Sequence, residues 1–371
     1  MSTLDSTENL KINRLHQHTC AFVLAVTGGG SRAISDLLGV PGASNTLLEC
    51  LVPYSNSSLA NFIGTNPKQA CSATTARNMA MKAYERALLL SDDTQQKSEI
   101  YGLGCSAAIG TLRERKGSDR CFVAIQSTRS TMLFSLALDK TLSRTDQETL
   151  CNKVIIGGMC LATGLEKQIS INELKIEMFT APLDWQKLMS GEAHKTEVAL
   201  GGSSLIFPGA FNPPHEGHRK IAKIAEQMTG MALTYEISIS NVDKINIDFL
   251  DMAARQKYFS GSKLIFTRAA TFAEKSDYFP GATFIVGVDT ICRIAETRYY
   301  KNDVALRDIA INKLADNGHR FLVFGRLDKT KFLTLSDIEL PSVLRELCEE
   351  ITEDEFREDS SSSEFRSNQN H

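Results

Sequence analysis

The sequence predicts an α/β protein of two domains, each a sheet layered with helices. Three observations point there. Short apolar runs alternate with helical patterns from Thr19 onward, the signature of strands that bury both faces under helices. The chain has 371 residues, more than a single core ordinarily organises. Breaker segments, Gly191-Glu-Ala-His-Lys and Gly201-Gly-Ser, interrupt the pattern near the middle. The expected division is a first domain over 14–165, a connector over 166–202 and a second domain over 203–371.

Residues 1 to about 13 read as a flexible lead. Ala21-Phe-Val-Leu-Ala-Val26 is an apolar run ended by Thr27-Gly-Gly-Gly30, hence a buried strand and a turn. Arg32–Leu38 follows as a helix and Leu47–Pro53 as a strand. Ala70–Leu90 carries Ala76, Met79, Ala80, Ala83, Ala87 and Leu88 at helical spacing. Cys121–Ile125 and Thr131–Ala137 read as strands, and Leu142–Leu161 as a helix. Gln168 to Ile176 suggests a small strand pair.

The second domain runs Leu205–Phe207 (strand), then a helix with Ile221, Ile224, Ala225 and Met228 on one face. Leu233–Ser240 (strand), Phe249–Phe259 (helix), Lys263–Thr267 and Thr283–Gly287 (strands), Val304–Asn317 (helix) and Arg320–Gly325 (strand) complete it. This alternation implies a parallel sheet with right-handed crossovers, and ligands on such sheets sit beyond the carboxyl ends of strands. No internal repeat relates the halves.

Composition narrows the function. With 41 basic against 44 acidic residues the net charge is −3, which argues against a nucleic-acid-coating protein and suits small phosphorylated substrates. Hydrophobic residues make up 42%, ordinary for a globular protein, and no apolar stretch approaches the roughly 20 residues that span a bilayer. The nine scattered cysteines include no Cys-x-x-Cys pair, so no zinc site is expected. Most lie in apolar runs and read as reduced thiols. A polar, acidic N-terminus lacks the parts of a signal peptide. A cytoplasmic or nuclear location is the expectation.

Two segments carry chemistry. Pro208-Gly-Ala-Phe-Asn-Pro-Pro-His-Glu-Gly-His218 lies where a strand turns into a helix. The free N–H groups and positive dipole end of that helix welcome a phosphate. Gly217 leaves the approach open, and His215 and His218, three apart, can address one ligand. In-line displacement at phosphorus asks mainly for positioning and charge stabilisation, which such a turn supplies. Ser360-Ser-Ser-Ser-Glu-Phe-Arg366 is the complement: Ser361, Ser362 and Ser363 can cap a short helix, and Arg366 can fork onto phosphate oxygens. Alone, a serine run is commonly a tail and a His-x-x-His pair commonly structural; their combination and order are what is specific.

The stretch from about Ser203 to Arg366 resembles the nucleotidyltransferase superfamily with the His-x-Gly-His signature, and within it the nicotinate or nicotinamide mononucleotide adenylyltransferases. Gly209, Phe211, Asn212, Pro213, Pro214, His215, Gly217 and His218 match that family's opening motif. Ser360 to Arg366 matches its closing Ile-Ser-Ser-Thr-x-Ile-Arg motif, with Ser at the first position and Phe365 at the sixth. Phe284 to Asp289 resembles its strand ending in Gly-Ala-Asp, and Phe321 to Arg326 its late strand ending in Gly-Arg. The resemblance implies a Rossmann-like parallel-sheet domain that binds ATP and Mg²⁺. A mononucleotide phosphate would attack the α-phosphorus, giving a dinucleotide such as NAD and pyrophosphate. It implies His215 and His218 as catalytic residues, and Gly209, Phe211, Asn212, Gly217, Asp289, Arg326, Ser361, Ser362, Ser363 and Arg366 as nucleotide-binding residues. Lys244 and Arg255 are candidates for the acceptor phosphate, with solvated surface charges as the alternative. The family stacks its pyridine ring on a tryptophan; the only one here, Trp185, precedes the second domain, and Tyr299 or Tyr300 is a candidate substitute.

Residues from about Cys20 to Leu165 resemble the C-terminal domain of the CinA (competence-damage inducible) family, whose members include nicotinamide mononucleotide deamidases. Thr27-Gly-Gly29, Gly42-Ala-Ser44 and Tyr54-Ser-Asn56 carry the resemblance. The family's catalytic serine falls on Ala25 and its lysine on Leu59, and its later glycine loop is reduced to about Gly104-Cys-Ser-Ala-Ala108. Neither an alanine nor a leucine can do that chemistry. The expectation is a domain that keeps the fold, has lost deamidase activity, and serves oligomerisation, ligand sensing or support. Ser31, Ser106 or Cys105 restoring activity is the rival. Thr27-Gly-Gly-Gly-Ser31 reads as a glycine turn or a phosphate cradle. For the whole chain, the alternatives to pyridine-nucleotide adenylylation are cytidylyl or adenylyl transfer to another phosphorylated acceptor, or a non-catalytic nucleotide sensor or scaffold.

Overall fold

The computed structural model describes residues 6–91, 99–112, 116–197, 204–241, 245–328, 331–354 and 356. It has the predicted α/β class and forms two compact units: Met1–Pro182 with Asp243–Asp251, and Leu183–Val242 with Met252–His371. Among the described residues no helix is long and apolar enough to cross a membrane.

The first unit runs α1 (Ser6–Gln17), β1 (Cys20–Thr27), α2 (Ser31–Gly39), β2 (Leu47–Leu51), α3 (Asn56–Ile63), α4 (Ala73–Leu90), β3 (Glu99–Ala108), β4 (Asp119–Ser127), β5 (Ser130–Leu138), α5 (Arg144–Ala162) and β6 (Lys175–Thr180). The sheet order is β2-β1-β3-β4-β5-β6. β2, β1 and β3 are parallel; β3 to β6 are antiparallel. All eight residues of β1 are buried because helices cover both faces. Phe22, Leu24 and Val26 face the core shared with Ile12 and Leu15 of α1, Leu37 of α2 and Val154 of α5. Val23 and Ala25 face the other way, toward Ala83, Ala87 and Met79 of α4.

The lead expected over 1–13 is instead largely helix. Its two buried apolar residues, Ile12 and Leu15, are too few to stand out as a periodic signal in a polar stretch. Gly104–Ala108, expected as a reduced loop, is the end of β3. Glycine serves close packing there: a Cβ on Gly102 would lie 2.0 Å from the Tyr84 backbone nitrogen, and one on Gly104 2.3 Å from the Ala76 carbonyl oxygen. Residues 175–180 form one edge strand on β5. The 243–251 segment completes this unit from far along the chain. Arg77 forks onto Asp248 at 2.6 and 2.5 Å, the Phe249 N–H donates to Thr131 Oγ1 at 3.1 Å, and Ile245 packs beside Leu59 and Met79.

The second unit contains α6 (Leu183–Ser190), β7 (Leu205–Pro208), α7 (Glu216–Thr229) and β8 (Leu233–Ser238). These are followed by α8 (Phe249–Gln256), whose first residues belong to the other unit, then β9 (Lys263–Thr267), α9 (Phe272–Tyr278), β10 (Thr283–Gly287), α10 (Val288–Ala295) and α11 (Val304–Asp316). The unit ends with β11 (Arg320–Phe324), the hairpin β12 (Arg326–Asp328) and β13 (Lys331–Leu333), α12 (Ser342–Glu346) and β14 (Cys348–Ile351). Its sheet is parallel throughout, in the order β14-β11-β10-β7-β8-β9. Strand order therefore reverses between β7 and β10, the point beyond whose carboxyl ends ligands of such sheets ordinarily sit. Trp185 lies in this unit, packed edge-on against Phe266 with ring centroids 5.0 Å apart. On α7, Ala222 and Ala225 are buried while Met228, expected inward, is 42% exposed.

Two buried imidazoles couple these units' stability to pH. His16 binds the Leu37 carbonyl and Thr46 Oγ1, each at 3.0 Å, and His319 binds the Ala282 carbonyl at 3.1 Å. Burial lowers both below the ordinary histidine value, because the charged form is poorly solvated. The unfolded chain therefore binds protons first as pH falls through about 6.5, and stability present above that value is lost below it. Denaturant titrations at about pH 7.5 and about pH 5.5 are expected to show a loss of roughly 1 kcal/mol per group at the lower value.

Candidate functional site

β7 ends at Pro208, and the next seven residues climb to α7. The Gly209 N–H donates to the Glu236 carbonyl of β8 at 3.0 Å, which anchors the start of this loop. Phe211 has φ +43°, the left-handed region that costs a bulky residue energy and persists only when its surroundings demand it. They do so here. The Phe211 ring is 2% exposed and lies edge-on to Phe207, Tyr235 and Phe259 at centroid distances of 5.2, 5.4 and 5.4 Å. A Cβ on residue 209 would come within 2.5–2.8 Å of that ring, so the Gly-x-Phe spacing is a packing requirement. Arg255, a candidate for the acceptor phosphate, is 8% exposed and donates from Nη1 to the Ala210 carbonyl at 2.9 Å. It braces the loop. Asn212 is exposed, and Gly217 is buried in the first turn of α7.

His215 is the N-cap of α7, with extended backbone. Its carbonyl accepts the His218 N–H at 3.0 Å, and its own N–H donates to His218 Nδ1 at 3.1 Å. The second of these bonds is the side-chain-to-N-cap half of a capping box, in which an imidazole replaces the usual carboxylate. It also assigns the tautomer. Since Nδ1 accepts, the ring proton of neutral His218 sits on Nε2, leaving Nε2–H as a donor. The two imidazoles are 3.7 Å apart, centroid to centroid. Burial first, and His215 second, push His218 down to about 3, so it is neutral at physiological pH. The site thus offers a neutral directional donor beside a helix N-terminus.

After β10, Gly287 caps α10 and Asp289 stands in its first turn. Asp289 pairs with Arg326 at the start of β12; both side chains are half-exposed. The structure therefore brings together Gly209, Phe211, His215, Gly217 and His218 after β7, and Asp289 with Arg326 after β10 and β11. The Tyr300 hydroxyl is engaged by the Ile294 carbonyl at 3.0 Å, and Arg298 covers the Tyr299 ring at 4.5 Å. Ser361, Ser362, Ser363, Arg366 and Lys244 lie outside the described residues. The sequence reading missed Tyr235 and Phe259, which no local motif marks. Among the described residues no cluster of three or more His, Cys, Asp or Glu side chains is arranged to hold a metal ion.

In the first unit, a cleft of about 320 Å³ is lined by Thr27, Gly28, Gly29, Arg32, Tyr54 and Glu148, among others. The N-terminus of α2 opens beside it, and an anion already sits there. The Glu148 carboxylate accepts the N–H groups of Gly30 and Arg32 at 2.8 and 2.9 Å and the Ser31 hydroxyl at 3.0 Å. The Thr27–Ser31 cradle is thus filled by the chain's own side chain. Ala25 and Leu59 pack in a single buried apolar cluster with Ile63 and Met79. Cys105 is fully buried and its thiol is raised; Ser106 is fully buried and donates to the Ala70 carbonyl at 2.5 Å. Neither reaches solvent, and Ser31 is tied to Glu148.

No family model matches the chain, and no curated protein does. Solved structures similar to it include the competence/damage inducible protein CihA from Agrobacterium tumefaciens, at 15% identity and a TM-score of 0.37, over 44% of this chain and 99% of that one. The competence-damaged protein (CinA) superfamily protein from Escherichia coli is similar at 16% identity and a TM-score of 0.32, over 45% and 94% of the two chains. One from Enterobacter cloacae is similar at 17% identity and a TM-score of 0.34, over 44% and 98%.

Proposed function

We propose that the second unit transfers a nucleotidyl group, adenylyl from ATP, to the phosphate of a pyridine mononucleotide such as nicotinamide or nicotinate mononucleotide. The observation that carries this reading is the His215–His218 pair at the N-terminus of α7, after β7 where the strand order reverses, with His218 held as a neutral Nε2–H donor. In the reaction an acceptor phosphate oxygen attacks the α-phosphorus of ATP. The new P–O bond forms as the bond to the β-phosphate bridging oxygen breaks, and pyrophosphate leaves with that electron pair. Charge grows on the non-bridging oxygens, where Nε2–H and the free N–H groups of the α7 N-terminus are suited to stabilise it. Mg²⁺ would accompany the triphosphate, screening its charge, which is how this ion is ordinarily held in such sites.

The first unit is proposed to support this activity and to have no deamidase chemistry of its own. The apolar packing of Ala25 with Leu59 and the burial of Cys105 and Ser106 support that part. The test is pyrophosphate release from ATP or CTP with Mg²⁺ across a panel of phosphorylated acceptors. Release with either pyridine mononucleotide, giving NAD or its acid form, is the expected result. Release with another acceptor moves the substrate and keeps the chemistry. ATP binding with no release across the panel overturns the transferase reading in favour of a nucleotide sensor.

A further inference from the structure

We infer that Phe211 is a positioning residue: its ring sets the orientation and tautomer of the His218 imidazole. The inference rests on the transferase reading for its catalytic meaning, though not for its physical test. Phe211 lies edge-on to His218, with ring centroids 5.0 Å apart and planes 72° apart, and Phe207 closes the imidazole's surroundings at 6.0 Å. In the orientation this contact accompanies, His218 Nδ1 accepts the His215 N–H at 3.1 Å. Phe211 is itself immobilised. Its backbone adopts φ +43°, its ring is enclosed by Phe207, Tyr235 and Phe259, and Gly209 lacks the Cβ that would strike it. A strained backbone maintained in order to bury a ring against a candidate catalytic group is an arrangement that holds that group's geometry. The ring touches no exposed surface on which a nucleotide base could stack, so its contribution passes through His218.

Burial against these rings is also the first cause of the low proton affinity of His218. The ionisable group in ring contact with it is His215 on the same turn; Tyr235 on β8 packs on Phe211, and Arg255 on α8 is fixed to the Ala210 carbonyl. Of these only His215 acts on His218 as a charge, so removing the Phe211 ring changes mainly solvation.

The test is NMR titration of the histidine side chains in the full-length protein, labelled at histidine, for wild type, Phe211→Ala and Phe211→Leu. The chain has seven histidines, and His218→Gln assigns the signal. Wild type is expected to keep His218 neutral and in the Nε2–H form down to about pH 5. Phe211→Ala should raise the midpoint by at least about one pH unit and mix the tautomers, with Phe211→Leu between the two. In turnover, Phe211→Ala should lower kcat roughly tenfold to a hundredfold with little change in KM, and leucine should restore part of it. If the alanine variant fails to fold, the leucine variant carries the comparison. A folded variant whose His218 midpoint and tautomer match wild type overturns the inference. The NMR readout needs no substrate, so a shifted midpoint in a protein that turns nothing over would sink the transferase reading and leave the positioning role intact.

Discussion

His218→Ala is expected to slow pyrophosphate release by roughly 10²–10³-fold while ATP affinity stays nearly unchanged. The reason is geometric. The Nε2–H donor is fixed by a backbone hydrogen bond to the opposite nitrogen, so it is already aimed and needs no reorganisation when charge develops at phosphorus. A donor that strengthens its bond only as charge grows acts on kcat and little on ground-state binding. Losing one such donor costs about 3–4 kcal/mol of transition-state stabilisation. His218→Gln places an amide N–H near the Nε2 position and should recover part of the rate. Because His218 ionises only near 3, the rate should show no acid limb from this group between about pH 5 and about pH 8. Steady-state kinetics with separate measurement of ATP binding decides the matter. A variant within about threefold of wild type would remove His218 from the chemistry.

Leu59→Lys is expected to destabilise the full-length protein by about 4 kcal/mol or more, alone or combined with Ala25→Ser. Leu59 is 1% exposed and packs with Ala25, Ile63 and Met79, with Ile245 closing the cluster. An ammonium there finds no carboxylate in the cluster, so it must shed its proton or break the packing; either costs several kcal/mol. Replacing these two residues with the serine and lysine of the resembled family would therefore lower stability and is not expected to yield a deamidase. Urea denaturation gives the free energy, and product analysis with nicotinamide mononucleotide tests activity. An unchanged denaturation midpoint would show that this cluster admits water, contrary to its packing.

Much of the architecture was legible because strand and helix signals are local. Ala21–Val26, Cys121–Ile125 and Thr283–Gly287 are apolar runs of strand length and became strands β1, β4 and β10. The helical spacing over 70–90 and 304–317 likewise became α4 and α11. The elements that escaped are those whose signal lies elsewhere in the chain. β3 was hidden because Gly102, Gly104 and Ser106 are small residues chosen for the close approach of α4 and for a bond to Ala70. α9 and α10, of seven and eight residues, are too short for a period to show. The 243–251 segment reads as part of the second half, and its bonds to Arg77 and Thr131 and its packing on Leu59 and Met79 make it part of the first unit.

The sequence by itself determined the α/β alternation, the parallel order after residue 203, and the placing of two imidazoles three residues apart where a strand meets a helix. All of these depend on spacing along a few turns of chain. Tertiary structure alone decided what those imidazoles can do. The proton of His218 sits on Nε2 because the ring is turned by Phe211 toward the His215 N–H, and Phe211 is held by Tyr235 and Phe259 from other elements. The same holds for the glycine turn of the first unit. Its N–H groups were visible as a cradle in the sequence, but that a carboxylate 118 residues away fills it depends on how α5 packs across α2. Ionisation and hydrogen-bond occupancy follow from neighbours in space, and distant neighbours are set by the packed fold.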